Sequence, residues 1–82
     1  MGDIPVDLTL DLNSEDETGL PWGFLDEAAD PSLIQEGAWI VVGSGQARAV
    51  AQVAQVERNL VWVRPLPGPV SRHRHLVPHL AA

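Results

Sequence analysis

The sequence predicts a mainly β domain, a small antiparallel barrel of about five strands with a short helical insert. Residues 6–12 alternate apolar and polar side chains, which is typical of a strand with one buried face. Residues 37–42 and 60–66 are apolar runs rich in Val, Ile and Trp, and Gly or Pro residues lie at or near their ends. Short strands of this kind usually close on themselves, because a flat sheet would have exposed edges.

The elements near the N-terminus follow from the apolar pattern and from Pro and Gly. The first strand should have a buried apolar face and a wet polar face, and Asp7 belongs to the wet face. Residues 20–25 (LPWGFL) predict an irregular connector, since Pro and Gly interrupt them. Residues 24–29 predict a short helical turn that ends before Pro31, and residues 31–34 predict another turn.

Residues 46–57 are ambiguous between strand and helix. Their Ala, Gln, Arg and Glu residues favour a helix, and Val50, Val53 and Val56 are spaced by three. A tight turn at residues 57–59 would instead join two antiparallel strands, and no Gly is present there to end a helix. We therefore expect a strand, with the helix as the open alternative.

The C-terminal residues are predicted to add little to the core. Residues 67–69 (PGP) predict a turn, and residues 70–77 predict a short final strand or a tail. A chain of 82 residues has room for one modest core, so we expect one domain over residues 1–77. Residues 78–82 are expected to be frayed.

Composition excludes several classes of function. The chain has no cysteine, which excludes disulfides, thiolate metal sites and cysteine nucleophiles. The N-terminal residues lack the pattern of a secretory signal and no apolar run could cross a bilayer, so we expect a cytoplasmic protein. Every basic residue is Arg, which is typical of GC-rich coding sequences, and the chain resembles small proteins of GC-rich bacteria.

Charge is divided unequally along the chain. Residues 1–37 contain ten acidic residues and no basic one, which gives a charge of −10. Residues 38–82 contain five arginines against Glu57, which gives +4, so the net charge is −6. Such polarity is typical of a protein with charged partners, or of a chain whose halves neutralise each other or a second copy.

Residues 36–56 (EGAWIVVGSGQARAVAQVAQV) resemble the opening of KOW-type SH3-like barrels, which occur in transcription and ribosome-associated proteins. Gly37, Ile40, Val42 and Gly45 match the glycines and strand residues of that pattern, whereas Ala38 stands where the family has an acidic residue. The resemblance covers about 20 of the 82 residues. It implies an SH3-like architecture, with nucleic-acid binding as one possible role.

Catalysis is not expected from this sequence. Ser44 lies between two glycines but lacks the Gly-x-Ser-x-Gly spacing of a hydrolase nucleophile. The same glycines have no following Lys, so they do not form a phosphate-binding loop. A domain of this size offers little cleft, so we predict a non-enzyme without a cofactor or small-molecule substrate.

Residues 20–28 (LPWGFLDEA) are the main candidates for a protein contact. A loop rich in large apolar groups is either a plug over the barrel or an anchor for a partner. We predict a protein-interaction module whose partner is another protein or a second copy, with basic residues preferred. The predicted contact residues are Trp22, Phe24, Leu25, Asp26, Glu27, Trp62 and Arg64.

Two alternatives use the basic half of the chain. Trp62 and Arg64 share one face of the predicted strand and, with Arg72 and Arg74, could contact nucleic acid. The net negative charge disfavours that function. His73, His75 and His79 are weak candidates for metal ligands, because Arg72 and Arg74 lie between or beside them and repel cations.

Overall fold

The computed structural model describes residues 5–13, 17–45 and 47–81. Gln46 and the acidic residues at positions 15 and 16 lie outside the described residues. The strands are β1 (Leu8–Thr9), β2 (Trp22–Phe24), β3 (Trp39–Ser44), β4 (Ala47–Glu57) and β5 (Leu60–Pro65). Short helices are α1 (Val70–His73) and α2 (Pro78–Ala81), and 3-10 turns span Leu25–Glu27, Pro31–Leu33 and Arg74–Leu76.

The five strands form a nearly closed barrel, as the sequence predicts. They lie in the order β1-β3-β4-β5-β2, and the two end strands approach each other. A Cβ atom on Gly23 of β2 would lie 3.0 Å from the Leu10 Cβ and 3.2 Å from the Thr9 carbonyl oxygen. The sheet differs from the prediction in being mixed, since β1 pairs with β3 in parallel. The long connection between β1 and β3 makes the parallel pairing possible.

Hydrophobic side chains form two clusters on opposite faces of the β3–β4 hairpin. Residues of all the strands but β2 fill the barrel interior, among them Leu8, Ile40, Val53 and Val63. A smaller cluster lies on the outer face, where Val41 and Val50 face each other across the hairpin. Val70 and Val77 of the C-terminal segment cover these two valines.

Strand β4 resolves the ambiguity of the valines spaced by three. Residues 47–57 form one long strand, which confirms the strand and excludes the helix. Val50 faces the outer cluster and Val53 faces the barrel interior. The register with β5 then shifts between Val53 and Gln55. Because this irregularity at Ala54 reverses the inward and outward positions, Val56 also packs against the interior.

Asp7 corrects the prediction for the first strand. Only Leu8 and Thr9 form the strand, and Asp7 is buried instead of wet. One of its carboxylate oxygens accepts the Val41 backbone N–H at 2.8 Å. The Nε2–H group of His79 donates to both carboxylate oxygens, at 3.0 and 2.8 Å. Burial of a carboxylate is tolerated here because these donors replace water.

Two further segments differ from their predictions. Trp22–Phe24 is not an irregular connector but a strand, and it pairs with β5. The C-terminal segment is helical instead of a strand or a frayed tail: α1, a 3-10 turn and α2 span residues 70–81 apart from Val77. The contacts that decide these structures, such as those of His79 with Asp7, join residues far apart in sequence.

Gly43 is expected to be intolerant of substitution. It is buried, has a φ of 141°, and a Cβ there would overlap the Ala47 carbonyl oxygen. We expect Gly43→Ala to lower the free energy of unfolding by on the order of 3 kcal/mol, measured by urea unfolding. Gly19→Ala is the control, since its φ is 78° but the space around it is open. It should lose only about 1 kcal/mol, and equal losses would contradict the packing argument.

The Asp7 carboxylate is expected to stabilise the fold more than an exposed carboxylate does. Asp7→Ala leaves the donors on Val41 and His79 without their acceptor and should cost about 2–4 kcal/mol in urea unfolding. His79→Ala should cost less, because the His79 side chain is 32% exposed. Asp11→Ala, at an exposed position of the same segment, is the matched control. Similar losses for Asp7→Ala and Asp11→Ala would disprove this role.

Candidate protein-interaction surface

Strands β2 and β5 bring the predicted aromatic residues together on the outside of the barrel. In their antiparallel register Trp22 lies opposite Trp62, and Phe24 lies opposite Leu60. Residues opposite each other in antiparallel strands point to the same face. The inward positions of β5 are taken by buried valines, so this face is the outer one. We call Trp22, Phe24, Leu60 and Trp62 the aromatic surface; Arg64 continues the same face of β5.

The aromatic surface is separate from both hydrophobic clusters. Phe24 is 43% exposed, and Trp22, Leu60 and Trp62 are half-buried. The rings of Trp22 and Phe24 lie edge to face, with centroids 5.4 Å apart and planes at 86°. Leu25 differs, since it packs against the barrel interior. Of the predicted apolar contact residues in this segment, Leu25 therefore acts as a plug, and Trp22 and Phe24 face outward.

Asp26 and Glu27 lie in the exposed 3-10 turn that directly follows β2. Asn59, in the turn between β4 and β5, holds the start of this 3-10 turn. Its carbonyl oxygen accepts the Leu25 N–H at 2.8 Å, and its Oδ1 accepts the Asp26 N–H at 3.1 Å. The sequence predicts for Asn59 only a place in the tight turn at residues 57–59. The side-chain acceptor of Asn is the feature that could have pointed to this role.

A groove lies beside the aromatic surface, at the seam where β1 and β2 approach each other. Its volume is about 340 Å³, and Leu10 and Gly23 contribute to its lining. Trp22 and Phe24 line it together with Glu27.

Polar groups complete the lining of this groove. Thr9, Asp11 and Ser44 contribute hydroxyl and carboxylate groups, and none of the lining residues is basic. Neither Asp11 nor Glu27 forms an ion pair with a described residue. The groove therefore combines aromatic rings with carboxylates that are not neutralised by the described part of the chain.

The residues of the nucleic-acid alternative lie on two separate parts of the fold. Trp62 and Arg64 belong to β5, whereas Arg72 and Arg74 belong to the helical C-terminal segment that covers β3 and β4. The Nε–H group of Arg74 donates to the carbonyl oxygen of Leu80 at 3.3 Å. The four residues thus do not follow one strand or one helix.

Two of the three histidines use a ring nitrogen within the fold. The Nε2–H group of His73 donates to the carbonyl oxygen of Pro67 at 2.8 Å, and that of His79 donates to Asp7. His75 is exposed in the 3-10 turn between α1 and α2. Among residues 5–13, 17–45 and 47–81, no group of three or more His, Asp or Glu side chains is arranged to hold a metal ion.

A second cavity of about 370 Å³ lies between α2 and the start of β3. Leu33, Trp39 and His79 are among its lining residues. Asp30, before the neighbouring 3-10 turn, accepts hydrogen bonds from the Ser32 hydroxyl at 2.6 Å and the Ser32 N–H at 3.1 Å. These hydrogen bonds, with a smaller contribution from His79, hold the pKa of Asp30 below its ordinary value. This cavity contains none of the predicted contact residues.

No family model, curated protein or solved structure matches the chain. The resemblance of residues 36–56 to KOW-type barrels therefore stays a prediction, while the small five-stranded barrel itself is observed. No helix in the described part of the chain is long and apolar enough to span a membrane.

Proposed function

We propose that this protein is a non-catalytic module that binds another protein through the aromatic surface. The observation that carries the proposal is the outward position of Trp22, Phe24 and Trp62, away from both clusters that stabilise the fold. Trp and other aromatic residues contribute most of the binding energy in many protein interfaces. A small barrel that needed these rings for its core would point them inward.

Charge supports a preference for a basic partner. Asp26 and Glu27 are exposed at the end of β2, and Asp11 lines the groove beside Trp22. Carboxylates around an apolar contact attract basic surfaces and repel acidic ones. Arg64, on the same face, supplies a positive group that would position an acidic residue of the partner.

The test replaces both aromatic residues of β2. Neither ring belongs to the two hydrophobic clusters, so the barrel should remain folded in Trp22→Ser/Phe24→Ser. The loss of the edge-to-face pair should cost about 0.5–1.5 kcal/mol in addition to the lost buried area. Affinity purification from the source cells, quantified by mass spectrometry, should recover a partner with the natural chain and lose it with the variant. Amide NMR spectra of both proteins check that the fold is retained.

A matched control replaces Leu33, a half-buried residue outside the aromatic surface, with Ser. Leu33→Ser should retain the partner. If the double variant is folded and recovers the same proteins as the natural chain, the aromatic surface is not the contact. If it is unfolded, the single variant Phe24→Ser decides, because Phe24 is the more exposed ring.

Nucleic-acid binding is the alternative function, and Trp62 next to Arg64 on the outer face is the observation that favours it. We expect no binding of a labelled mixed-sequence RNA, measured by fluorescence anisotropy at low salt. The reason is that a net charge of −6 repels phosphates, and low salt strengthens this repulsion. Binding that weakens with salt and is lost in Arg64→Gln would favour the alternative over a protein contact.

A further inference from the structure

The groove at the seam of the barrel has the composition of a site for a cation. Two aromatic rings, Trp22 and Phe24, stand edge to face at its wall, and two carboxylates, Asp11 and Glu27, also line it. The faces of aromatic rings carry negative potential and attract cations within about 6 Å of their centroids. The aromatic rings and the carboxylates therefore both favour a positively charged ligand.

Local hydrogen bonds hold the groups of this groove in place. The Oδ1 atom of Asp11 accepts the Asn13 N–H at 2.9 Å, which restrains the carboxylate. Glu27 follows the residues that Asn59 holds through backbone and side-chain hydrogen bonds. The Trp22 ring is restrained by Phe24 and by its place in the β2–β5 pair. Binding at such a site loses less side-chain conformational entropy than binding at a mobile surface.

The shape and the polar groups favour a guanidinium over an ammonium. A guanidinium is planar, stacks on aromatic rings and donates in two directions to carboxylates, whereas an ammonium is a compact and strongly hydrated charge. Besides the two acidic residues, the lining includes Thr9 and Ser44, whose side chains carry hydroxyl oxygens. Its volume of about 340 Å³ is at the lower end of the range for sites that hold small molecules or side chains.

We propose that the groove between β1 and β2 binds an arginine side chain of the partner protein. This inference rests on the proposed function, because the arginine belongs to a protein that docks on the adjoining aromatic surface. The guanidinium lies against Trp22 and Phe24 and donates hydrogen bonds to Asp11 and Glu27. The partner segment that carries it is basic, which complements Asp11 and Glu27 in the groove and the exposed Asp26 beside it.

The first experiment is an NMR titration of the full chain with a capped glycine peptide that contains one arginine. The signals of the Trp22 indole N–H and the Gly23 and Thr9 amides should shift, and the shifts should weaken with salt. The same peptide with citrulline, which keeps the planar shape but has no charge, should give no comparable shifts. A lysine peptide should bind more weakly, and equal binding of lysine would contradict guanidinium recognition.

Variants identify the residues that bind the peptide. Glu27→Gln and Asp11→Asn should each weaken arginine-peptide binding by about fivefold. Phe24→Leu, which keeps an apolar side chain but removes the ring, should weaken it by a similar factor. Glu36→Gln is the matched control, since it removes the same charge at a residue whose carboxylate accepts the Val56 N–H. An unchanged affinity in Glu27→Gln and Asp11→Asn would overturn the site.

The titration separates this inference from the proposed function. If arginine peptide leaves the Trp22 signals unchanged while Trp22→Ser/Phe24→Ser still loses the partner, the groove is not an arginine site but the protein contact stands. If the shifts at Trp22 arise from protein concentration alone and vanish in Arg72→Gln, a second copy of this chain fills the groove. That result would overturn the assignment to a different partner protein.

Discussion

The carboxylate of Asp7 joins segments that are far apart in the sequence, and much of the remaining structure depends on it. It binds the Val41 N–H of β3 and the His79 ring of α2. The backbone N–H of Asp7 also donates to the Val41 carbonyl oxygen, and the Asp7 carbonyl oxygen accepts the Ala29 N–H. Because a buried carboxylate without donors would be costly, we expect the entry of β1, the centre of β3 and the C-terminal helix to stabilise one another.

The position of α2 determines which outer face of the barrel is covered. With His79 held at Asp7, the C-terminal segment lies over β3 and β4, where Val70 and Val77 bury Val41 and Val50. The outer face of β2 and β5 is outside this cluster, and its aromatic side chains keep contact with solvent. The two outer faces therefore differ: one packs against the C-terminal segment, and the other is the face that we propose for binding.

The sequence predicted what local patterns determine and failed where distant contacts decide. The runs that form β3 and β5 are apolar and β-branched, and both strands were predicted. The spacing of Val50, Val53 and Val56 by three made β4 ambiguous between strand and helix. The irregularity at Ala54 brings Val56 to the same side as Val53, and no local signal in the sequence predicts it. The alternation predicts that Asp7 faces solvent, because a local pattern cannot show that His79, 72 residues away, donates a hydrogen bond to its carboxylate. The sequence predicts the candidate contact residues. It does not predict the groove, because the groove forms only where β1 and β2 approach each other in the folded barrel.

The separation of charge along the chain is only partly kept around the barrel, since Arg64 lies on the same outer face as Trp62 and Asp7 contacts His79. The carboxylates of Asp11 and Glu27 line the groove at the β1–β2 seam, and Arg72 and Arg74 lie in the segment that packs over β3 and β4. In the strand order β1-β3-β4-β5-β2, strand β4 is the strand furthest from that seam. The C-terminal arginines are thus badly placed to neutralise the groove of the same molecule. No described residue forms an ion pair with Asp11 or Glu27, so under our proposal the positive charge that faces this groove is supplied by a basic partner.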